Sequence, residues 1–279
     1  MNSIKTKLLL KAFAIIMLCL TLFSNMFLIF RKHTVFAADV SIMADDPESS
    51  IYGFAIDNDY FDVNWTQKTF SVNYNGAYCG DVTLYLGGVK MKEALDNGKY
   101  GYGILVYAIM TPRAFTLTAD GKSHTYRGRS RYLTMNSSMG SNQTLLFETP
   151  ENVAGSSQYS VGLNIGVAAS GLSGRISAST SITANALKII NSADVINGLY
   201  SVKYQYDRHI WPWEWERTYY CWNQSVQRAA FFFSASSGSL SSKAVTFEGT
   251  FAIDDGEIGM WNLEMGYEVT TTRTYSVLF

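Results

Sequence analysis

Ser160–Ala186, with the sequence SVGLNIGVAASGLSGRISASTSITANA, alternates between two kinds of side chain twice in succession. The apolar positions of the first arm are Val161, Leu163, Ile165, Val167 and Ala169. After the cluster SGLSG the phase changes, and the second apolar set is Ile176, Ala178, Ile182, Ala184 and Ala186. A period of two residues is typical of β-strands, and a phase change across glycine and serine predicts a hairpin. We therefore predict two antiparallel strands joined near Ser170–Gly174.

The two faces of this predicted hairpin have an unusual composition. One is modestly apolar, and the other consists almost wholly of small and hydroxyl-bearing residues; Arg175 is the only charged residue, and no aromatic residue occurs. A strand that crosses a bilayer needs about 9–11 residues, apolar toward lipid and small or polar toward water, and both arms meet that length. We therefore hypothesise that the hairpin inserts into membranes. The membrane-inserting residues would be Val161, Leu163, Ile165, Val167, Ile176, Ala178 and Ile182.

Residues 1–37 have the features of a secretory signal peptide. Three lysines precede or interrupt the apolar run 8–30, and Ala37 is the small residue that a signal peptidase requires. We expect cleavage after Ala37, a flexible acidic leader over residues 38–50 and an extracellular mature protein. Because the apolar run is long and is followed by two basic residues, an uncleaved N-terminal membrane anchor is the alternative.

The charge balance argues against nucleic acid as a partner. Removal of residues 1–37 takes away five of the 22 basic side chains and none of the 23 acidic ones, which leaves a net charge near −6. Binding to a phosphate backbone requires a basic field, so we expect no nucleic-acid partner.

The mature sequence predicts an all-β fold, with a β-sandwich-like body and a long amphipathic central hairpin. Short alternating runs follow one another between Asn, Asp and Gly punctuation, and Asp120-Gly121 predicts a tight hairpin. Lys90–Leu95 is the one segment for which we predict a short helix. We divide the chain into an N-terminal β-sandwich region 51–135, a stem-like hairpin region 136–190 and a C-terminal β region 191–279 with an aromatic loop.

Cys79 and Cys221 are the two cysteines that remain after removal of the signal peptide. An even pair in an exported protein usually forms a disulfide, so we predict a bond between them. Such a bond would close a loop of over 140 residues. On the chain-entropy model it would stabilise the fold by ~4–5 kcal/mol.

The motifs of common catalytic and metal sites are missing from the sequence. His124 and His209 are far apart and lack partners at HExxH or Cys/His spacing, and no GxSxG, Walker or GxGxxG motif occurs. Two acidic clusters, IDNDYFD at 56–62 and IDDGE at 253–257, have side chains suited to glycoside hydrolysis or calcium binding. Turn formation explains both clusters more simply. We therefore predict no enzyme activity, no cofactor and no metal.

A basic stripe is predicted at YRGRSRY, residues 126–132. Arg127, Arg129 and Arg131 occupy alternate positions, so on a strand their side chains share one face. One interpretation is a solvated face. The other is contact with anionic lipid headgroups or acidic glycans.

The segment IWPWEWERTYYCW at 210–222 is rich in aromatic residues, and its proline excludes a central strand. Tryptophan in such a place can lie at the headgroup layer, stack on sugar rings or enclose a choline ammonium. We predict that the segment is exposed at one end of the molecule and recognises a membrane lipid or a cell-surface glycan. Rings that cap the core are the alternative. The predicted recognition residues are Trp211, Trp213, Trp215, Tyr219 and Tyr220.

The hairpin and the aromatic segment together resemble β-pore-forming toxins of the leukocidin/haemolysin and aerolysin-like families. The resemblance is one of pattern, carried by residues 160–186 and 210–222. It implies that the hairpin packs against the soluble protein and is released when copies form a homo-oligomeric pore. We predict a secreted toxin-like protein that binds a membrane surface, oligomerises and inserts the hairpin. The alternative is a secreted carbohydrate- or cell-surface-binding β-sandwich without pore activity, in which the hairpin is an ordinary sheet element.

Overall fold

Strands make up all the regular secondary structure that the structure describes. The structure is a computed structural model, and it describes residues 50–51, 54–56, 60–95, 97–119, 121–152, 157–162, 176–177, 179–184, 187–206, 224–236, 238–255 and 268–279. In chain order the strands are β1 (Ser50–Ile51), β2 (Phe54–Ile56), β3 (Phe61–Tyr74), β4 (Ala77–Ala94), β5 (Tyr100–Pro112), β6 (Ala114–Ala119), β7 (Lys122–Ser138), β8 (Gln143–Thr149), β9 (Ser157–Gly162), β10 (Ile176–Ser177), β11 (Ser179–Ala184), β12 (Leu187–Asn191), β13 (Leu199–Tyr206), β14 (Ser225–Ala235), β15 (Ser242–Asp255) and β16 (Glu268–Leu278). Within these ranges no helix is long and apolar enough to cross a membrane.

Two large antiparallel sheets form a β-sandwich, which confirms the predicted all-β fold. The six-stranded sheet has the order β12-β13-β7-β15-β16, with β6 beside β7, and the five-stranded sheet has the order β3-β4-β5-β14-β8. Each sheet therefore combines strands from before and after the predicted hairpin. The core between the sheets contains fully buried side chains from both, such as Phe247 and Phe251 against Leu84, Ile104 and Phe231. Burial of each such side chain contributes about 1.5–3 kcal/mol.

The five-stranded sheet is apolar on both faces. Its central strand β5, YGYGILVYAIMTP, is a nearly continuous apolar run rather than an alternating one, as expected for a strand buried on both sides. A second cluster lies on the side away from the sandwich core and includes Leu105, Tyr107 and Phe232. Phe54 of β2 belongs to this cluster, with its ring centroid 6.2 Å from that of Trp65. The small sheet β1-β2-β10 is thereby held against the outer face of the five-stranded sheet.

A single residue carries the chain from one large sheet to the other. β5 ends at Pro112 and β6 begins at Ala114, and the N–H of Arg113 donates to the carbonyl of Cys79 at 2.7 Å. The carbonyl of Arg113 accepts from the N–H of Gly128 at 2.8 Å. A Cβ atom at Gly128 would lie 2.4 Å from the Cys79 carbonyl oxygen, so the close approach of the backbones requires glycine here.

The predicted helix at Lys90–Leu95 is wrong, because β4 continues as far as Ala94. Val89 and Met91 are buried in the second apolar cluster, at 0% and 6% exposure. Pairing with β3 extends through Phe61 opposite Met91. Burial and strand pairing therefore override the local preference of this segment for a helix.

Candidate membrane-inserting hairpin and the adjoining end of the sandwich

The two arms of the predicted hairpin are paired antiparallel. β9 and β11 are joined through six consecutive residue pairs, from Ser157 opposite Ala184 to Gly162 opposite Ser179. These pairs are symmetric about residues 170 and 171, which lie within the predicted turn Ser170–Gly174. The turn itself and the inserting positions Leu163, Ile165, Val167 and Ala178 lie outside the described residues.

The register of this pairing places the apolar residues of both arms on one face. Tyr159 stands opposite Ile182, and Val161 stands opposite Thr180, whereas Ser160 stands opposite Ser181. Odd positions of the first arm therefore share a face with even positions of the second. A slip of one residue would place the apolar residues of one arm beside the hydroxyl-bearing residues of the other. The observed register is thus the one that an amphipathic hairpin requires.

In the residues that the structure describes, the hairpin strands pair with neither of the two large sheets. β9 and β11 form a two-stranded sheet of their own, and β10 pairs with β2 through Ile176 opposite Ile56 and Ser177 opposite Ala55. A lone two-stranded sheet is marginally stable at best in water. The pairing of β10 with β2 therefore connects the second arm to the body beside the second apolar cluster.

The arginine stripe is not an exposed surface at two of its three positions. All three arginines lie on β7 as predicted, but Arg129 and Arg131 are only 6% and 8% exposed; the side chain of Arg127 lies outside the described part. A solvated face and contact with headgroups both require exposure that Arg129 and Arg131 lack. The predicted exposed basic face is therefore wrong at Arg129 and Arg131.

Long-range partners explain the burial of Arg131. Its Nε donates to Oε1 of Glu268 at 2.8 Å, and its Nη1 donates to the carbonyl of Tyr206 at 2.8 Å. The guanidinium also lies 4.3 Å from the ring centroid of Tyr132. Pairing between β7 and β15 shifts by one residue here, since Thr250 pairs with Tyr132 and Phe251 with Ser130, so residue 131 is the extra residue of a bulge. Charge-assisted bonds offset the cost of removing the cation from water.

Arg131 joins the ends of two segments at one end of the six-stranded sheet. Tyr206 is the last described residue before segment 207–223, and Glu268 is the first after segment 256–267. Leu187, the first described residue after the hairpin, pairs directly with Tyr206. Sequence reasoning missed this role of Arg131, because Glu268 is 137 residues away and no local pattern reports such a pair.

The predicted aromatic recognition residues lie in segment 207–223, outside the described residues, and their exposure stays a prediction. They are Trp211, Trp213, Trp215, Tyr219 and Tyr220. The described strand ends place the start of their segment beside the return of the hairpin at Leu187. The return of the hairpin and the start of the aromatic segment, the two features that carried the resemblance to pore-forming toxins, therefore meet at the same end of one sheet.

The predicted disulfide is not formed in the structure. Cys79 is a free and fully buried thiol whose Sγ–H contacts the carbonyl of Ala77 at 3.6 Å, and Cys221 lies outside the described residues. Burial raises the pKa of the Cys79 thiol to about 11. A protonated, buried thiol is chemically inert and packs as a small apolar side chain.

Among the described residues, no group of three or more His, Cys, Asp or Glu side chains is arranged to hold a metal ion. Of the first acidic cluster, Asp62 lies at the exposed start of β3, where it is 3.8 Å from the ammonium of Lys92. Asp254 and Asp255 of the second cluster continue β15 and pair with Arg127 and Tyr126. Strand and surface roles therefore account for the described members of both clusters.

Solved structures to which this chain is similar include three pore-forming proteins. Clostridium perfringens delta-toxin shares 10% identity with a TM-score of 0.43, over 82% of this chain and 94% of that chain. A protein titled "Pore forming protein" shares 11% identity with a TM-score of 0.40, over 80% and 94% of the two chains. The Clostridium perfringens NetB toxin in the membrane-inserted form shares 12% identity with a TM-score of 0.39, over 77% and 94%.

The similarity to β-pore-forming toxins that the sequence pattern predicted is thus found among solved structures, at low identity. These identities and TM-scores are too low for residue-level comparison. No protein-family model matches the sequence, and no curated protein sequence matches it significantly.

Proposed function

We propose that this protein is a secreted, non-enzymatic, β-pore-forming toxin-like protein. It binds a membrane surface through the end of the sandwich that bears segment 207–223, assembles with further copies of itself and inserts the hairpin 160–186. The partner at the membrane is a lipid or a cell-surface glycan.

The register of β9 and β11 is the observation that carries this proposal. It places the apolar residues of the two arms on the same face, so that one face of the pair suits lipid and the other suits water. A single inserted hairpin would leave unpaired backbone groups in the hydrocarbon at a cost of several kcal/mol each. Insertion therefore requires hairpins from several copies to pair edge to edge, which is why the proposal includes a homo-oligomer.

The position of the strand ends supports the proposed orientation toward the membrane. Leu187 and Tyr206 are paired at the end of the six-stranded sheet where the return of the hairpin and the start of segment 207–223 meet the body. The bond from Arg131 to Glu268 adds the end of segment 256–267, which contains Met260, Trp261 and Leu263. Tryptophan beside apolar residues suits the headgroup layer of a bilayer.

Dye release from liposomes with a reversible lock on the hairpin tests the proposal. Ala55 and Ser177 are directly opposed across β2 and β10, so Ala55→Cys with Ser177→Cys places two thiols at a separation that a disulfide can bridge. We make the pair in a Cys221→Ser background and leave the buried Cys79 unchanged. The oxidised variant should release no dye, and reduction should restore release to the level of the parent protein.

The matched control is a cross-strand lock within the body. Thr69 and Thr83 are opposed on β3 and β4, with hydroxyl oxygens 3.2 Å apart at an exposed site. Thr69→Cys with Thr83→Cys should release dye equally well when oxidised and when reduced. If release survives the lock between Ala55 and Ser177, the hairpin is not the inserting element. If the parent protein releases no dye from several lipid compositions but binds a glycan array, the carbohydrate-binding alternative replaces the pore.

A further inference from the structure

The two ends of the hairpin segment are tied to each other by one asparagine. The N–H of Asn191, at the end of β12, donates to Oδ1 of Asn152 at 2.7 Å, and its Nδ2 donates to the carbonyl of Pro150 at 3.0 Å. Its Oδ1 accepts from the N–H of Ala193 at 2.9 Å. Pro150 and Asn152 precede the hairpin, whereas Asn191 follows it. The backbone N–H and the Nδ2 of Asn191 thus hold the point where the chain leaves the sandwich against the point where it returns, and the local bond from Ala193 orients the Asn191 side chain.

A buried tyrosine fixes the same place to the core. The hydroxyl of Tyr200 on β13 donates to the carbonyl of Thr149, the last residue of β8, at 3.4 Å. Tyr200 is fully buried, and its ring is stacked on Phe231 of β14 with the centroids 4.3 Å apart. Burial raises the pKa of Tyr200, so the hydroxyl keeps its proton and remains a donor. The end of β8 is therefore attached to both large sheets.

The described backbone pairing connects the hairpin to another sheet at one place. β9 and β11 pair with each other, and the two residue pairs between β10 and β2 are their described link to another sheet. Strands that pair mainly with each other open locally at lower free energy than the central strands of a sheet do. The described bonds to the body thus end at Asn152 on one side of the hairpin and begin at β12 on the other.

We propose that Asn152 and Asn191 form a fixed base for the hairpin. Residues 153–186 change conformation together, while residues 149–152 and 187–191 keep their bonds to the body. This inference rests on the proposed function for what the movement achieves. A fixed base holds the two arms side by side before and after insertion, and paired strands must lie only about 4.8 Å apart in both states.

The length of the segment between the two fixed points suits this role. Residues 153–186 number 34, so each arm has about 16 residues after a short turn, or about 50 Å at ~3.3 Å per residue. Crossing the bilayer takes about 9–11 of them. About five to seven residues per arm then remain to connect the base to the membrane surface.

Hydrogen exchange on the monomer tests the base independently of any pore. The amides of Asn191 and Ala193 should exchange at least about tenfold more slowly than those of β9 and β11. Asn152→Ala should accelerate exchange at Asn191 roughly tenfold, since it removes one hydrogen bond, and should leave β9 and β11 unchanged. Asn97→Ala is the matched control, because Oδ1 of Asn97 accepts from the N–H of Lys99 at 3.0 Å in the same kind of bond elsewhere. It should affect the neighbourhood of Lys99 alone.

A covalent base completes the test. Asn152→Cys with Asn191→Cys, in the Cys221→Ser background, should release dye within about twofold of its reduced form when oxidised, whereas the lock between Ala55 and Ser177 blocks release. Loss of release through the covalent base, with the parent protein active, overturns the fixed base and leaves the pore proposal standing. If the parent protein releases no dye, the pore proposal fails, and the exchange rates alone decide the base: exchange of residues 187–193 together with β9 and β11 overturns it.

Discussion

Two strand pairs of this protein are rich in hydroxyl side chains, and only one belongs to the sandwich. β15 and β16 pair through threonines on their outer face, where Thr250 meets Thr270 and Thr246 meets Thr274 with hydroxyl oxygens 2.9 Å apart. β9 and β11 likewise pair Ser160 with Ser181. By the hydroxyl face alone the two pairs are alike.

The two strand pairs differ in the side chains of their opposite, apolar faces. β15 contributes Val245, Phe247 and Phe251, all fully buried between the sheets. Between residues 160 and 186, the corresponding face of the predicted hairpin contains Val, Leu, Ile and Ala together with Thr180, and no aromatic residue. Aromatic side chains bury far more area than these residues do, so they attach a strand to the core more firmly. The size of the side chains on the apolar face, and not the composition of the hydroxyl-bearing face, therefore determines whether such a strand pair joins the sandwich.

Truncation on the two apolar faces is the strongest way to break this comparison. Phe247→Ala should lower the free energy of unfolding by about 3–5 kcal/mol, because it leaves a cavity in the core. Ile182→Ala should lower it by about 1 kcal/mol or less, as expected for a weakly held segment, and should reduce dye release from liposomes. Urea denaturation measures both changes. Equal destabilisation by the two variants would show that the hairpin is as firmly packed as β15.

The second prediction concerns the charge that holds the end of the β15–β16 pair. Arg131→Met should lower stability by about 1.5–3 kcal/mol, since it removes charge-assisted bonds to Glu268 and to the Tyr206 carbonyl. Arg273→Met is the control, because Arg273 is exposed and its described hydrogen bond goes to the carbonyl of the neighbouring Thr272. It should change stability by about 0.5 kcal/mol or less. Similar losses in the two variants would remove Arg131 from its anchoring role.

A buried lysine gives the start of β15 a pH dependence. The ammonium of Lys243 donates to the carbonyl of Ser138 at 2.6 Å and to Gln143, and burial lowers its pKa to about 8. Between pH 8 and the ordinary value of 10.5 the unfolded chain binds more protons at this residue than the folded chain does. Stability should therefore rise with pH above 8.

Urea midpoints at pH 7, 8 and 9 measure this rise. It should be absent in Lys243→Met and retained in the control Lys68→Met on the exposed side of β3. The range stops at pH 9, because burial also raises the pKa of Cys79, Tyr102 and Tyr275, and the titration of these groups lowers stability at higher pH. A rise that persists in Lys243→Met would assign the pH dependence to another group.

The smallest effect belongs to the hydroxyl face itself. Thr246→Val removes the bond to the Thr274 hydroxyl at an exposed pair and should change stability by about 0.5 kcal/mol or less in thermal unfolding. A loss of stability above about 1 kcal/mol would mean that the threonine pairs between β15 and β16, and not the apolar side chains alone, hold β16 in the sheet.

Local patterns predicted the elements that depend on local chemistry. Alternation within 160–186 predicted the antiparallel pairing of β9 with β11, and Asp120-Gly121 predicted the hairpin between β6 and β7, where Gly121 has a φ of 74°. Glycine tolerates this left-handed conformation without strain.

Elements that depend on distant partners could not be predicted in this way. Residues 90–94 of the predicted helix form strand instead, because Val89 and Met91 are buried against residues of other strands. Arg131 became an anchor through Glu268, and a bulge opposite Thr250 and Phe251 sets its position. A pattern with a period of two residues contains no information about any of these contacts.

The pairing of β5 with β14 has a consequence for how the chain folds. The two strands pair along the whole of β14, from Ser225 opposite Met110 to Ala235 opposite Tyr100, across more than 110 residues of sequence. Contacts of such long range slow folding, because the entropy of closing the loop must be lost before the sheet gains stability. During synthesis, residues 160–186 emerge before the strand that completes the five-stranded sheet exists. Until β14 is synthesised, segment 160–186 remains without the complete sheet beside it. Because it has small hydroxyl side chains and no aromatic residue, it is less prone to aggregate than a core strand such as β5 would be.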